Sequence, residues 1–326
     1  MKHRGETTVV TISGASGAIA PHVAAELVRS GLGTDSRLEI RLLVKPDRLN
    51  MARALSADLE DMAADRLASV CAHDDPIDAF SGCDVAILAA SAKRTEGATR
   101  ADLGAANARV TVDHAALARR LGSEAVRIAV VANPVNALVT AIVESSDVEP
   151  ERVSGVVRID LARAIRSIAA AWGVAPSCVR DVAIWGNHST RLAVDLWTAS
   201  VDGRSVSGWH RPGIVEAVRS RGDEVIALSG RTAAVSVAAA VQAHLEEWLT
   251  GRISAGLSAA AVISDGSHGL PEGIALTVPV VSYDRRWTLA RVPQTAEIVD
   301  VVEAAAAEIR TETNAMRAWL KEGATT

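Results

Sequence analysis

The sequence is poor in cysteine, tyrosine and phenylalanine, and it lacks any long apolar run. Its 326 residues include three cysteines, one tyrosine and one phenylalanine. The cysteines, at 71, 83 and 178, are odd in number and not spaced like metal ligands, so we expect reduced thiols, no disulfide framework and no metal site. No run of 18 uncharged apolar residues occurs, and the N-terminal "MKHRGETTVV" lacks the apolar core of a secretory signal. We therefore expect a cytoplasmic protein with no membrane contact.

The charge balance argues against a nucleic-acid partner. Lys and Arg total 34 against 39 Asp and Glu, which gives a formal net charge of −5 at pH 7. Binding to nucleic acid usually needs a basic surface, so we expect no such partner. With 49% hydrophobic residues, the chain has the composition of a globular protein that is long enough for two lobes or one large α/β domain.

Apolar strand-like segments alternate with helical patterns in the first half of the chain. The segments "TTVVTIS", "RLEIRLLV", "DVAILAA" and "VRIAVVAN" have the apolar, β-branched character of buried strands. This alternation predicts an α/β fold with a Rossmann-type parallel sheet. After about residue 155 longer helical runs dominate, with strands near 259–264 and 275–282 and a long helix over 294–321. We predict a dinucleotide-binding domain at 1–154 and an α+β catalytic domain at 155–326.

A glycine turn follows the first predicted strand, in "TISGASGAIA". A tight turn that opens a helix directs backbone N–H groups at one point, and the helix dipole favours an anion there. The turn residues Gly14, Gly17, Ala18 and Ile19 would then hold the pyrophosphate of a dinucleotide. An ordinary strand-to-helix turn that needs glycine is the alternative, but the βαβ context favours the cofactor.

The end of the second predicted strand bears on which cofactor is used. Dinucleotide sites often carry an acid there to bind the ribose 2′-hydroxyl, and this position is Val44. Lys45 and Arg48 follow, and cations suit a 2′-phosphate. The sequence therefore slightly favours NADP over NAD. Alternatively, these cations are plain surface charges and Asp47 serves the ribose.

Three later stretches carry groups suited to an anionic carbonyl compound: "SAKRTEGATRADL", "VRIDLARA" and "IWGNHST". A histidine transfers protons near neutral pH, a buried aspartate fixes its tautomer, and arginine binds carboxylates through paired hydrogen bonds. Each group has a plainer interpretation. Asp160 and Arg163 could simply pair on one helix face, Arg94 and Arg100 could be solvated, and His188 could be a core or capping residue.

The same stretches resemble the lactate/malate dehydrogenase family, and within it the cytosolic-type malate dehydrogenases, along nearly the whole chain. "GASGAIA" is similar to the family's glycine turn, and "DVAILAASAKRTEGATRADLGAAN" to its mobile substrate loop. "VVANPVN" resembles its Asn-Pro segment, "IWGNHS" its histidine segment and "ISDGSHGLPEGI" a late segment of that branch. The resemblance implies an NAD- or NADP-dependent enzyme for a small 2-keto or 2-hydroxy acid, with oxaloacetate and malate as the first choice, and a homodimer.

The resemblance also implies roles for individual residues. His188 would carry the proton and Asp160 would orient it. Arg163 would bind the C1 carboxylate, and Arg100 would polarise the reacting carbonyl group. Loop closure would then exclude water. Three more residues receive roles: Arg94 at the distal carboxylate, Asn133 near the substrate and the nicotinamide ribose, and Asn107 as a further asparagine of the site.

The chain departs from the family pattern at four places. Val44 lacks the acid of NAD-using relatives, as the plastid NADP-dependent relatives do, and Ala162 stands where the family often has Asn. "HSTRLAVD" lacks the usual Gln-Tyr-Pro after the histidine segment. Lys93 replaces a proline beside Arg94, which adds positive charge where the distal group binds. A substrate with more distal charge, such as phosphonopyruvate (reduced to phosphonolactate), is therefore a second hypothesis.

Two other protein classes share a glycine turn of this kind. A short-chain dehydrogenase needs a tyrosine with a lysine four residues later, but Tyr283 is followed by "DRRW". A non-catalytic nucleotide-binding paralogue would keep the glycine turn and lose part of the set formed by His188, Asp160 and the arginines. That set is complete in the sequence, so an active enzyme is the favoured interpretation.

Overall fold

The computed structural model describes residues 7–91, 100–209 and 212–322. Fourteen strands are found in these ranges: β1 Thr7–Ser13, β2 Arg37–Leu43, β3 Leu67–His73, β4 Val85–Leu88, β5 Arg127–Val130, β6 Val153–Gly155, β7 Val179–Arg180, β8 Ala183–Gly186, β9 Leu192–Asp195, β10 Ser200–Val201, β11 Arg204–Ser205, β12 Ser258–Ile263, β13 Ala275–Tyr283 and β14 Arg286–Leu289. The α-helices of the same ranges are α1 Ala20–Ser30, α2 Leu49–Glu60, α3 Pro76–Phe80, α4 Arg100–Leu121, α5 Val135–Ser145, α6 Arg158–Trp172, α7 Pro212–Ser229, α8 Val235–Thr250 and α9 Ala296–Glu322.

The first six strands form a parallel sheet in the order β3-β2-β1-β4-β5-β6. The order reverses at β1, whose neighbours are β2 and β4. In open parallel sheets of this kind, ligands bind outside the carboxyl ends of the strands at such a reversal. The predicted Rossmann-type sheet is confirmed, and the glycine turn lies at its reversal point.

The sheet continues into the second half of the chain. Beyond β6 the order is β12-β13-β8-β9, all antiparallel, and β14 pairs with β13. The predicted α/β fold with an α+β second half is therefore confirmed. The predicted boundary between residues 154 and 155 falls inside β6, the strand at which the pairing changes from parallel to antiparallel.

Local sequence explains where α1 begins and ends. Pro21 occupies the first turn, where a missing N–H costs nothing, and Gly31 follows the helix with φ +72°. The buried residues of the helix recur at a helical spacing that covers the sheet. They are Ala20, Val23, Ala24, Leu27 and Val28.

The core lies on both faces of the sheet. Strands β1 and β2 contribute fully buried aliphatic side chains, among them Val10, Ile12 and Ile40. Trp185 on β8 and Trp248 on α8 are fully buried in the second half. The three cysteines fall in the described ranges and are not disulfide-bonded.

Candidate active site

A histidine, an aspartate and an arginine meet beside the sheet. His188 follows β8, while Asp160 and Arg163 lie on one face of α6, three residues apart. The imidazole Nδ1 of His188 is 2.6 Å from Asp160 Oδ2, and the guanidinium of Arg163 is 3.4 Å from Asp160 Oδ1. Because an ionised carboxylate only accepts hydrogen bonds, Nδ1 carries a proton and Nε2 is the nitrogen available to a reactant.

The side chains of this cluster differ in their exposure to solvent. The Asp160 side chain is 3% exposed, whereas the His188 side chain is 23% exposed and so remains accessible from solvent. Burial lowers the pKa of the Arg163 guanidinium, although the Asp160 carboxylate opposes this shift. Asp160 and Arg163 do pair on one face of α6, as the plainer interpretation of the sequence expected. Asp160 contacts His188 at the same time, through its other carboxylate oxygen.

The backbone of His188 is held by a buried asparagine that the sequence did not single out. Asn136, at the start of α5, is fully buried. Its Oδ1 accepts the backbone N–H of His188 at 3.1 Å, and its Nδ2 donates to the Ala275 carbonyl and the Thr277 hydroxyl, both at 3.1 Å. Asn136 therefore fixes the histidine segment against β13.

A glutamate on α9 holds the residues on either side of His188. Glu308 Oε2 accepts from Asn187 Nδ2 at 2.8 Å and from the Ser189 hydroxyl at 2.5 Å. No motif marked Glu308, because it lies more than a hundred residues from its partners in the sequence. The pair of hydrogen bonds clamps the short segment that carries the histidine.

The start of α6 is anchored by a buried ion pair. Arg158 Nε lies 3.1 Å from Glu247 Oε2, and the Ser258 hydroxyl donates to the same oxygen at 2.5 Å. The side chains of Arg158 and Glu247 are 10% and 5% exposed, respectively. Since Asp160 lies two residues beyond Arg158, this pair also restrains the position of the carboxylate.

Two predicted asparagines meet at the ends of α4 and β5. Asn107, which is buried on α4, donates from Nδ2 to the backbone carbonyl of Asn133 at 2.8 Å. The side chain of Asn133 is exposed in the loop after β5. Asn107 thus fixes the backbone of that loop and leaves the Asn133 amide free to meet a ligand.

The glycine turn, expected to be a phosphate cradle, is a tight turn between β1 and α1. Gly14 has φ +75°, and a Cβ there would lie 2.5 Å from the Cα of Ala90 after β4. Its N–H donates to the Leu43 carbonyl at 3.0 Å, and the Gly17 N–H donates to the Gly14 carbonyl at 2.9 Å. Ala18 is exposed, and Ile19, half-buried, provides no side-chain hydrogen bond to the start of α1. The helix N-terminus therefore lacks a side-chain cap, which suits a phosphate group.

The residues directly after β2 were expected to determine whether NAD or NADP binds. Val44 is 6% exposed and packs in the core, so its side chain offers no ribose acceptor. Lys45 is exposed next to it. Arg48 is also exposed but lies 3.2 Å from Asp47, which neutralises part of its charge. Among the cations of this strand end that the structure describes, Lys45 is the one without an ion pair.

The substrate loop is only partly described. Lys93 and Arg94 lie outside the described residues. Arg100 is the first residue of α4, and its side chain also lies outside what the structure describes. The expectations for these three residues stay predictions.

Comparison with known proteins identifies this arrangement. Residues 8–155 match the family model for the lactate/malate dehydrogenase NAD-binding domain, and residues 157–324 match that for the alpha/beta C-terminal domain of the same family. The chain belongs to the lactate/malate dehydrogenase family. The resemblance drawn from the sequence motifs is thereby confirmed.

Individual members of the family match over nearly their full length. The chain is 33% identical over 323 residues to the malate dehydrogenase of Rhodococcus jostii strain RHA1, which covers 95% of this chain and 96% of that protein. It is 34% identical over the same length to the malate dehydrogenase of Rhodococcus opacus strain B4. The crystal structure of Naegleria fowleri malate dehydrogenase superposes with a TM-score of 0.89 at 25% identity, covering 96% of this chain and 98% of that one.

These matches establish the general activity. The chain is an NAD-dependent 2-hydroxy acid dehydrogenase, an oxidoreductase that acts on a CH–OH group. The glycine turn described above fits the dinucleotide that such an enzyme uses. In the described ranges, no group of three or more His, Cys, Asp or Glu side chains is placed to hold a metal ion, and no helix has the length and apolarity needed to cross a membrane.

Proposed function

We propose that the substrate pair is malate and oxaloacetate, with His188 as the acid–base group. The observation that carries this proposal is the 2.6 Å contact between His188 Nδ1 and the buried Asp160 carboxylate. A histidine oriented in this way can deliver a proton to a carbonyl oxygen and take one from a hydroxyl group. The malate dehydrogenase names of the Rhodococcus relatives support the choice of substrate.

The roles proposed for the other residues rest on the family resemblance and, for Asp160 and Arg163, on their contact beside His188. Asp160 stabilises the imidazolium form and fixes the ring, and Arg163, beside it, binds the C1 carboxylate of the substrate. We assign Arg100 to the reacting carbonyl group and Arg94 to the distal carboxylate. NAD(H), when bound, supplies or accepts the hydride. Closure of the loop that carries these arginines excludes water, which strengthens their interaction with the oxygen as it gains negative charge.

For the cofactor we propose that the glycine turn holds the pyrophosphate and that Asn133 approaches the nicotinamide ribose. We also propose a modest preference for NADP over NAD. The support is Lys45, which is exposed and not ion-paired in the described ranges, next to the buried Val44. The pairing of Arg48 with Asp47 at 3.2 Å weakens this preference, since it removes one of the two expected cations.

One experiment tests substrate and cofactor together. Steady-state reduction of oxaloacetate, pyruvate and phosphonopyruvate is measured with NADH and with NADPH, in the wild type and in Lys45→Ala. The proposal predicts the highest kcat/KM with oxaloacetate and a preference for NADPH that Lys45→Ala lowers. Equal rates with both cofactors in both proteins would refute the role of Lys45, and absence of oxaloacetate turnover would refute the substrate.

Phosphonopyruvate remains the second candidate substrate because of Lys93. A phosphonate carries more negative charge than a carboxylate and would pair with both Lys93 and Arg94. Lys93→Pro, which restores the residue common in similar enzymes, is the matched variant. A loss of phosphonopyruvate reduction with unchanged oxaloacetate reduction would support this candidate. Absence of turnover of phosphonopyruvate by the wild type would exclude it, and absence of turnover of all three acids would favour a non-catalytic paralogue.

We further propose a cytoplasmic homodimer with the two domains divided near residues 154 and 155. Support for the dimer comes from exposed aliphatic side chains close together in sequence at the end of α7 and the start of α8. Ile226 is 48% exposed, Leu228 83% and Val235 72%. Light scattering should give twice the chain mass of 34.0 kDa, and the double variant Ile226→Glu/Leu228→Glu should give the single mass. A monomeric wild type would refute the dimer.

A further inference from the structure

A large cavity among the described residues lies away from the proposed active site. It has a volume of about 990 Å³ and is bordered by α4, by the start of α3 at Pro76 and by the end of α9 at Trp319. We call it the α4 cavity, because most of its lining residues belong to α4. None of the residues assigned above to catalysis, substrate or cofactor lines it.

The lining combines apolar side chains with guanidinium groups. Val110, Leu117 and Trp319 form part of the apolar wall, and Arg109 and Arg120 lie beside them. Within the ranges that the structure describes, the ion-pair partner found for the Arg109 guanidinium is the exposed Asp113 carboxylate, at a long 3.7 Å. In the described part of the chain Arg120 forms no ion pair. These cations can therefore meet the anionic end of a ligand whose apolar body lies on the wall.

A third arginine of the lining, Arg119, is already paired with a carboxylate of the protein. Arg119 forms two hydrogen bonds with Glu149, at 2.6 and 2.7 Å. Asp147, which also lines the cavity, adds a negative charge near Arg119. Recognition of an anion thus falls to Arg109 and Arg120, the lining arginines that Glu149 does not bind.

One lining residue connects the cavity to the cofactor turn. The His114 Nδ1 is 2.9 Å from the hydroxyl of Ser13, the last residue of β1. Ser13 is fully buried and directly precedes Gly14. The His114 ring also packs on Phe80, with 5.4 Å between ring centroids. Among the described residues no other hydrogen bond of His114 is found, so Nε2 is available to a ligand in the cavity.

The same helix reaches the loop after β5. Asn107 and Arg109 are two residues apart on α4, so they lie on different faces of the helix. The Asn107 side chain contacts the Asn133 carbonyl at 2.8 Å, while Arg109 lines the cavity. A ligand that shifts α4 would therefore act on the Ser13 hydroxyl, beside the glycine turn, and on the Asn133 backbone carbonyl.

We propose that the α4 cavity binds an organic anion with an apolar body, and that its occupancy changes the affinity for the dinucleotide through the His114–Ser13 contact. The size of the cavity falls in the range of small-molecule sites, and its mixed lining has the few polar groups such sites use for orientation. By linkage, the dinucleotide changes the affinity for this anion by the same factor.

The test uses anilinonaphthalene sulfonate, an aromatic anion, as the probe. Its binding to the full-length protein is measured by calorimetry with saturating NAD⁺, so that the cofactor site is filled. We expect one saturable site. Val110→Trp, which fills the cavity, and Arg120→Ala, which removes the unpaired cation, should each weaken binding by about 10-fold or more. Arg204→Ala on β11 is the matched control and should bind like the wild type.

The coupling is tested by titrating NAD⁺ with and without the probe. We expect its Kd to change by about 3-fold or more in the wild type and not in His114→Phe. No probe binding with NAD⁺ present, or unchanged binding to Val110→Trp, would overturn the site. Probe binding without any change in the NAD⁺ Kd would overturn the coupling. Because the readout is binding, failure here is distinct from failure of the proposed substrate.

Discussion

Replacing Asp160 with asparagine tests how much the buried carboxylate contributes to proton transfer. In the wild type Asp160 Oδ2 lies 2.6 Å from His188 Nδ1, and the side chain is 3% exposed. During oxidation of a 2-hydroxy acid, His188 takes up a proton, so a positive charge forms beside the carboxylate. Asparagine nearly keeps the shape but removes the negative charge that stabilises this imidazolium.

The size of the effect follows from the hydrogen bond that is weakened. Hydrogen bonds to charged groups contribute about 1.5 to 3 kcal/mol, which corresponds to about a 10- to 150-fold loss in rate. An amide that donates to Nδ1 would also favour the wrong tautomer, which adds to the loss. We therefore expect kcat for malate oxidation with NAD⁺ to fall by about 10-fold or more in Asp160→Asn.

The assay separates catalysis from folding and cofactor binding. Steady-state kcat is measured beside the NAD⁺ Kd and the urea midpoint, with Asp300→Asn, an exposed change on α9, as the matched control. The NAD⁺ Kd should stay within about twofold, since Asp160 contacts His188 and Arg163 rather than the turn. If kcat of Asp160→Asn stayed within about twofold of the wild type, the proposed role of the carboxylate would be refuted.

Three further substitutions test the scaffold. Gly14→Ala places a Cβ 2.5 Å from the Ala90 Cα and should weaken NAD⁺ binding by about 10-fold or more. Gly208→Ala, where the added Cβ meets open space, is the control and should leave the NAD⁺ Kd unchanged. Equal Kd values for the two variants would contradict the phosphate cradle. Glu308→Leu removes the acceptor shared by the residues beside His188 and should lower kcat by about 10-fold, while Glu303→Leu, exposed on the same helix, should leave kcat unchanged. Burial lowers the pKa of His244 from 6.5 to about 3. Between these pH values the unfolded state therefore binds one more proton than the folded state. The wild type consequently loses stability as the pH falls from 6.5 toward 3. His244→Phe should lose less unfolding free energy than the wild type between pH 7 and 5 in urea titrations (about the range of the ordinary histidine pKa), and an equal loss would show that His244 is not the cause.

The sequence predicted those parts of the fold that local patterns determine. Strands β1, β2, β4 and β5 are short and apolar, and α1 has clear periodicity and a glycine stop. Helix α7 was not predicted, because Gly213 and Gly222 interrupt its pattern and charged residues are spread around it. Glycine lowers helix propensity, so the packing of α7 against α6 determines this helix more than its own sequence does.

The site was predictable where residues are neighbours in sequence or belong to a known motif. Asp160 and Arg163 are three residues apart, and the histidine segment resembles that of the family. Asn136 and Glu308 were missed because they contact the histidine segment across 52 residues and more than a hundred residues, respectively. Such contacts arise when the second half of the chain packs on the sheet, and no spacing in the sequence encodes them.

The preference between NAD and NADP could be predicted only in part from the residue types after β2. By residue type alone, Lys45 and Arg48 are two cations that suit a 2′-phosphate. In the structure the Arg48 guanidinium pairs with Asp47, so one of the two is partly neutralised. An exposed ion pair of this kind is weak, and a phosphate could compete with Asp47 for Arg48. The preference therefore depends on an energy difference that residue types alone do not reveal.

The most direct test of the central claim is the rate of oxaloacetate reduction by NADH in the wild type and in His188→Asn, with the NADH Kd measured on both proteins. The account predicts rapid turnover by the wild type, a loss of kcat of about a hundredfold or more in His188→Asn, and similar NADH Kd values for the two. Turnover by His188→Asn at the wild-type rate would contradict the claim that His188 carries the proton.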